Sequence, residues 1–124
     1  MVAKYGIHSI SDIGAGDLNW IGLVKWPHPI QYTPFDLVPR QASVQRFDLI
    51  NEIPSQTDLI LCLWVLNHLP NECSQKALTN LLASGSKYLI YSYWPAMAEF
   101  LNLQPIESVI LNPEKQSELR LVKC

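Results

Sequence analysis

The chain has 124 residues, of which 48% are hydrophobic and 16% charged, and its formal net charge at pH 7 is −2. This length and composition predict a single globular domain over residues 1–124, large enough to bury a hydrophobic core. The charge argues against a strongly basic nucleic-acid-binding surface. The amino-terminus carries no signal-peptide pattern, and no apolar run is long enough to span a bilayer. We therefore expect a cytoplasmic protein without a membrane segment.

A strand predicted at residues 7 to 13 runs into a turn that contains Gly14 and Gly16. Glycines there can adopt positive φ and let a ligand approach the main chain closely. Asp12 places a carboxylate at the carboxyl end of the strand, where open α/β sheets bind ligands. A dinucleotide fingerprint would have a third glycine at the position of Asn19. Because an acid at the turn also repels phosphate, the pattern favours a ligand that carries an ammonium group.

The remaining elements include both strands and helices. Strands are predicted at 30–37, 45–50, 58–66, 87–94, 106–111 and 119–122. Helices are predicted at 19–25 and 71–83, and a short one at 96–100. The segment 39–50 has hardly any room for a parallel crossover, so either it is an irregular loop or residues 45–50 are not a regular strand. The predicted fold is α/β: a Rossmann-like three-layer sandwich with a mostly parallel sheet, an antiparallel C-terminal hairpin and a reduced number of helices.

Asp36 lies at the end of the strand predicted at 30–37, about twenty residues beyond the glycines, where an acid can accept both hydroxyls of a ribose. A helix cap or a turn is the competing interpretation, and it would be favoured for an isolated aspartate. The glycine turn upstream favours the ribose role.

Four segments resemble the class I S-adenosylmethionine-dependent methyltransferases in order and spacing. They are the D-x-G-x-G-D pattern at 12–17, Phe35-Asp36-Leu37, Phe47-Asp48, and the run 58–62 leading to Asn67-His68-Leu69. The resemblance extends over residues 7 to about 94 and is strongest with small bacterial and phage-type members of that family.

The resemblance implies S-adenosylmethionine as the cofactor, held by residues at the ends of the predicted strands. These are Asp12, Gly14 and Gly16 for the methionine part, Asp36 for the ribose, Asp48 and Leu49 for the adenine, and Leu63 and Trp64 for the sulfonium and the acceptor, with Ala15, Asp17 and Leu37 as further cofactor-binding residues. A sulfonium and an ammonium group suit a pocket ringed by carboxylates, with aromatic faces adding cation–π attraction. Methyl transfer itself requires mainly alignment of the reacting atoms.

His68 is the candidate general base, because the ordinary pKa of histidine lies near neutrality. Its competing interpretation, which we slightly favour, is capping of the following helix or packing beneath it. Relative to the family, amino-terminal covering helices are missing and the crossover after the second strand is short, so we expect a homo-oligomer or a protein partner to cover apolar surface. The methyl acceptor is not identified by the sequence. The alternative function is a catalytically inactive S-adenosylmethionine-binding or regulatory protein with the same fold.

Overall fold

The structure is a computed structural model that describes residues 2–18, 21–63, 65–66, 69–93, 107–112 and 117–123. Its strands are β1 (Ser9–Ile13), β2 (Gln31–Asp36), β3 (Gln45–Arg46), β4 (Leu59–Cys62), β5 (Tyr88–Tyr93), β6 (Glu107–Asn112) and β7 (Ser117–Lys123). One α-helix, α1 (Asn71–Ala83), and a 3-10 helix at Ile21–Leu23 complete the elements of the described ranges.

The strands form one sheet in the order β3-β2-β1-β4-β5-β7-β6. The first five strands of that order are parallel, whereas β7 runs antiparallel to both β5 and β6. This confirms the prediction of a Rossmann-like, mostly parallel sheet with few helices. The turn predicted between β6 and β7 and the helix predicted at 96–100 both lie outside the described residues, so the C-terminal hairpin as a unit stays a prediction.

β4 is buried on both faces, and its side chains alternate between two hydrophobic clusters. Ile60 and Cys62 pack on the face covered by α1, where Ala77, Leu78 and Leu81 are buried. Leu59 and Leu61 pack on the opposite face, against residues from the amino-terminal turn and from the segment before β2: Val2, Tyr5, Ile7, Trp26 and Ile30. Because successive side chains of a strand point to opposite faces, the continuous apolar run of β4 supplies both cores.

The helix predicted at 71–83 is confirmed with the same bounds. Asn71 is its first residue, and Pro70 occupies the N-cap position without a side-chain hydrogen bond. After Ser84, Gly85 adopts φ +78°, which favours glycine and ends the helix. Within the described ranges, no helix has the length and apolar character that crossing a membrane requires.

The helix predicted at 19–25 is wrong in the residues that the structure describes. Only the 3-10 turn Ile21–Leu23 forms there, and none of its residues is buried. Leu23 is 83% exposed, so no packing surface supports a longer helix. The strand-like segment at 45–50 shortens to β3, two residues that pair with Phe35 and Asp36. The crossover before it is irregular.

Pro34 lies inside β2, opposite Asp12 of β1. The carbonyl of Phe35 accepts hydrogen bonds from the β1 side, whereas the carbonyl of Asp36 accepts one from Phe47 on the β3 side. Backbone groups of successive residues in a strand face alternate sides, so the missing N–H of Pro34 would have pointed away from β1. β3 does not extend to Pro34. No sheet hydrogen bond is therefore lost to the proline.

At the amino-terminal end of the sheet, Asp58 joins β4 to β1. Its Oδ2 accepts hydrogen bonds from the backbone N–H groups of His8 (2.9 Å) and Ser9 (3.2 Å). Its own N–H donates to Oγ of Ser9 at 2.9 Å, and Nζ of Lys87 lies 3.5 Å from its Oδ1. The hydrogen bond from His8, more than the nearby Lys87, lowers the pKa of the Asp58 carboxyl.

We predict that Asp58→Ala lowers the free energy of unfolding by roughly 1–2 kcal/mol, because two backbone donors lose a charged acceptor. The lowered pKa means that this contribution is present at neutral pH and is lost as the pH falls through the folded-state pKa, below the ordinary 3.8. Urea titrations of both proteins at several pH values measure it. Lys87→Ala is the control and should cost roughly 0.5 kcal/mol or less, because the lysine is exposed. Equal losses in the two variants would contradict the backbone role.

Candidate functional site

The carboxyl ends of β1, β2 and β4 surround a cleft of about 630 Å³. Chain order reverses between β1 and β4, which makes this the switch point at which open α/β sheets bind ligands. The volume lies in the range of small-molecule sites. The lining residues are Asp12, Ile13, Gly14, Ala15, Asp36, Leu37, Phe47, Asp48, Leu49, Ile50, Leu63, Val65 and Leu69.

The glycine turn, residues 14–16, is hydrogen-bonded to the carboxyl end of β2. The N–H groups of Gly14 and Ala15 both donate to the carbonyl of Phe35, at 2.8 and 3.0 Å, and the N–H of Gly16 donates to Oδ2 of Asp36 at 3.0 Å. Gly14 and Gly16 have φ values of +82° and +64°, which other residues adopt only with strain. A Cβ on Gly14 would lie 2.3 Å from Cγ2 of Val65 across the cleft, whereas a Cβ on Gly16 would meet nothing within 4 Å.

Asp12 is a buried carboxylate on the wall of the cleft, with 2% of its surface exposed. The phenol of Tyr32 donates a hydrogen bond to its Oδ2. Burial raises the pKa of Asp12, the hydrogen bond from Tyr32 opposes that rise, and the charge of Asp36 adds to it. On β4, burial and then the charge of Asp12 raise the pKa of the Cys62 thiol to about 12, so that this cysteine stays protonated. The site therefore carries a carboxylate that is costly to ionise unless a cation approaches it.

Asp36 both accepts hydrogen bonds from neighbouring turns and lines the cleft. Its Oδ2 accepts from Gly16, its Oδ1 accepts from the N–H of Val38 at 3.1 Å, and its side chain lines the cleft. The carboxylate thus orders two turns. Each carboxylate oxygen can accept more than one hydrogen bond, so ligand hydroxyls can still be received on the cleft side.

Asp48 begins a turn that forms one wall of the cleft. Its Oδ1 accepts from the N–H of Ile50 at 3.2 Å, and its N–H donates to Oε1 of Glu52 at 3.0 Å. The carboxamide of Asn80 on α1 donates to the carbonyls of Leu49 (2.7 Å) and Ile50 (3.2 Å). The helix therefore holds the wall in place through a side chain that the sequence reasoning did not single out.

The structure brings eight of the predicted site residues together in the cleft: Asp12, Gly14, Ala15, Asp36, Leu37, Asp48, Leu49 and Leu63. Gly16 and Asp17 are not among the lining residues. Gly16 donates a hydrogen bond to the lining residue Asp36, and Asp17 is exposed. Trp64 and the candidate base His68 lie outside the described residues.

Sequence reasoning missed five apolar lining residues: Ile13, Phe47, Ile50, Val65 and Leu69. Ile13, Phe47 and Ile50 directly adjoin predicted site residues along the chain, and this adjacency could have identified them. Val65 and Leu69, which reach the cleft from the segment after β4, likewise adjoin the predicted site residues Trp64 and His68 along the chain.

The chain matches no family model and no curated protein sequence. It does match solved structures of methyltransferases. The N-methyltransferase NodS from Bradyrhizobium japonicum WM9, in complex with S-adenosyl-L-homocysteine, aligns with a TM-score of 0.74 and 14% identity over 98% of this chain and 80% of NodS. The chain has the class I methyltransferase fold.

Two further structures share this methyltransferase fold. The magnesium protoporphyrin IX methyltransferase ChlM from Synechocystis PCC 6803, with bound S-adenosylmethionine, has a TM-score of 0.66 and 14% identity over 98% of this chain and 73% of ChlM. The mitomycin 7-O-methyltransferase MmcR has a TM-score of 0.69 and 14% identity over 97% of this chain and 50% of MmcR. The chain thus spans half the length of MmcR and most of the length of NodS. At this identity the likeness is one of fold.

We predict that Gly14→Ala and Gly16→Ala differ sharply. Both place an alanine at positive φ, which costs roughly 1 kcal/mol. Only the alanine at position 14 collides with Val65, so Gly14→Ala should cost roughly 1–3 kcal/mol more in the free energy of unfolding. Thermal and urea unfolding of the two variants measure the difference.

Gly14→Ala combined with Val65→Ala tests the cause, because removal of Cγ2 should recover most of the extra loss. If the two single variants are equally stable, the close approach of Gly14 to Val65 does not constrain the cleft.

Proposed function

We propose that the cleft binds S-adenosylmethionine and that the protein transfers its methyl group to an acceptor. The observation that carries this proposal is the acid-lined cleft at the switch point of a methyltransferase fold, with a main chain that two glycines hold open. NodS and ChlM, whose structures contain S-adenosylhomocysteine and S-adenosylmethionine, support the choice of cofactor.

The charge of the cleft fits this ligand. Three carboxylates, from Asp12, Asp36 and Asp48, belong to its lining, and the described lining residues include no lysine or arginine. A phosphate-bearing dinucleotide would meet repulsion there, whereas an ammonium group and a sulfonium would be attracted. The raised pKa of Asp12 has the same consequence, because a bound cation stabilises the ionised carboxylate and relieves its desolvation.

Different lining residues would contact different parts of the ligand. In this proposal the glycine turn and Asp12 hold the amino-acid part, Asp36 accepts hydrogen bonds from the ribose, and the adenine lies at the wall formed by Asp48 and Leu49. Phe47 packs edge-on against Phe35, with ring centroids 5.6 Å apart, and gives this part of the cleft an apolar floor. Leu63 lies on the side where the sulfonium and the acceptor would meet.

When bound, S-adenosylmethionine supplies an electrophilic methyl group on a positively charged sulfur, which leaves as a neutral thioether. The chain has to orient the reacting groups and exclude water from them. A proton lost by the acceptor needs a base, and His68 remains the proposed candidate for it. The acceptor itself is not specified by the lining residues.

Binding and turnover are separate parts of the proposal. A protein that binds S-adenosylmethionine without transferring the methyl group is the alternative, since fold alone does not establish catalysis. Loss of the methyl label from S-adenosylmethionine in the presence of candidate acceptors distinguishes turnover from binding.

We predict that calorimetry detects binding of S-adenosylmethionine and S-adenosylhomocysteine but not of NAD. Asp36→Ala should weaken binding by roughly 1–3 kcal/mol, because ribose hydroxyls lose a charged acceptor. It should also lower the stability of the ligand-free protein, because the N–H groups of Gly16 and Val38 lose the same acceptor.

Glu72→Ala is the matched control, since Glu72 is an exposed acid in the first turn of α1 that does not line the cleft. It should leave the affinity unchanged. Normal affinity in Asp36→Ala together with lowered stability would assign Asp36 to the turns alone. Tight binding of NAD would overturn the proposed cofactor.

Self-association is also proposed, and exposed apolar side chains at Leu37 (51%), Val38 (69%) and Ile53 (59%) support it. We predict that sedimentation velocity at micromolar concentration detects a dimer and that Val38→Asp with Ile53→Asp dissociates it. A monomer that still binds S-adenosylmethionine tightly would contradict this prediction.

A further inference from the structure

Tyr32 reaches the cleft wall from the strand that neighbours Asp12. Tyr32 on β2 lies in register with Ile10 on β1, two residues before Asp12, so that Tyr32 and Asp12 are diagonal neighbours across the strand pair. The tyrosine ring packs with the hydrophobic cluster on that face of the sheet, and its phenol donates to Oδ2 of Asp12. The hydrogen bond therefore joins a half-buried phenol to a carboxylate that is almost fully buried.

We propose that Tyr32 is a positioning residue: its phenol fixes the orientation of the Asp12 carboxylate and favours the ionised form that receives the ammonium group of the ligand. This inference rests on the proposed function, because it assigns to Asp12 a cationic ligand. It adds a residue that belongs to neither the glycine turn nor the acids singled out in the sequence.

The groups that face Asp12 have opposite effects on its pKa. Two of these groups come from β2: the charge of Asp36 disfavours the ionised form of Asp12, whereas the phenol of Tyr32 donates a hydrogen bond to the Asp12 carboxylate. From β4, the thiol of Cys62 is neutral and adds no charge. Burial and Asp36 raise the pKa of Asp12, and the hydrogen bond from Tyr32 lowers it. Removal of the phenol hydroxyl should therefore raise the pKa of Asp12 further.

The phenol is suited to this work because it stays protonated. Burial, and after it the hydrogen bond to Asp12, raise the pKa of Tyr32, so the hydroxyl keeps its proton throughout the range in which Asp12 titrates. While Asp12 is ionised, the phenol is therefore the donor and the carboxylate the acceptor. Tyr32 assists Asp12 without exchanging the proton itself.

A cationic ligand binds the ionised carboxylate, so its affinity should rise with pH through the pKa of Asp12 and then level off. In Tyr32→Phe this rise should move to higher pH. The expected loss of affinity is roughly fivefold to tenfold at the acidic end of the range, the scale of one hydrogen bond to a charged group, and smaller at the alkaline end. Calorimetric titration with S-adenosylhomocysteine, which retains the ammonium group, measures the profile from about pH 5 to about pH 8.

Tyr88→Phe is the matched control, since Tyr88 packs with the same hydrophobic cluster but lies on β5, next to the ring of Tyr5. Its pH profile should equal that of the unmodified protein. If Tyr32→Phe lowers the melting temperature and leaves the pH profile unchanged, Tyr32 only joins the strands, and the proposal is overturned.

A measurement without ligand separates this proposal from the proposed function. The carboxyl carbon of Asp12, followed by NMR as the pH is varied, should titrate at higher pH in Tyr32→Phe than in the unmodified protein. With 3-fluorotyrosine in place of Tyr32, a stronger donor that keeps the ring, Asp12 should titrate at lower pH. Failure of S-adenosylhomocysteine to bind at any pH would refute the cofactor assignment, whereas identical Asp12 titrations in all three proteins would refute the role of Tyr32.

Discussion

The shape of the cleft depends on the hydrogen bonds that join the glycine turn to the carboxyl end of β2. Because Gly14 and Ala15 share the carbonyl of Phe35 and Gly16 bonds to Asp36, the chain leaving β1 bends towards β2 rather than continuing over the sheet. Positive φ values at both glycines are required for this bend. The pairing of β1 with β2 brings the carboxylates of Asp12 and Asp36 near enough that their charges interact. The repulsion between two neighbouring acids at a partly buried wall does not stabilise the fold, and their placement supports the proposed binding of a cationic ligand.

The sequence was informative wherever a local rule decided the structure. The uniform apolar run of β4 identified the central strand, and the helix at Asn71–Ala83 followed from its spacing of apolar residues and from Gly85. The acids at the strand ends could be assigned to one cleft because parallel strands end at one edge of the sheet. The glycine turn upstream was the reason for placing Asp36 in the candidate site, and in the structure the N–H of Gly16 donates to that carboxylate.

The remaining features depend on packing that no local pattern records. Trp20, Leu23 and Val24 have helical spacing, but the structure offers the exposed Leu23 nothing to pack against. Val65 reaches Gly14 only because the chain turns after β4, and Tyr32 meets Asp12 only through the register of β1 and β2. Such contacts depend on which strands are neighbours and on how the chain turns. The spacing of residues along one segment does not contain this information.

Pro34 has a consequence for the solubility of the protein. The outer side of β2 is paired by β3 only at Phe35 and Asp36, so residues Gln31–Thr33, which are exposed or half-buried, resemble an open sheet edge. An open edge invites hydrogen bonding by a strand from another molecule, which is a route to aggregation. Pro34 is buried and has no N–H to offer on this side, so a foreign strand that paired along Gln31–Thr33 would not continue its ladder to Phe35. The proline thus limits the length of the edge with which another molecule can pair.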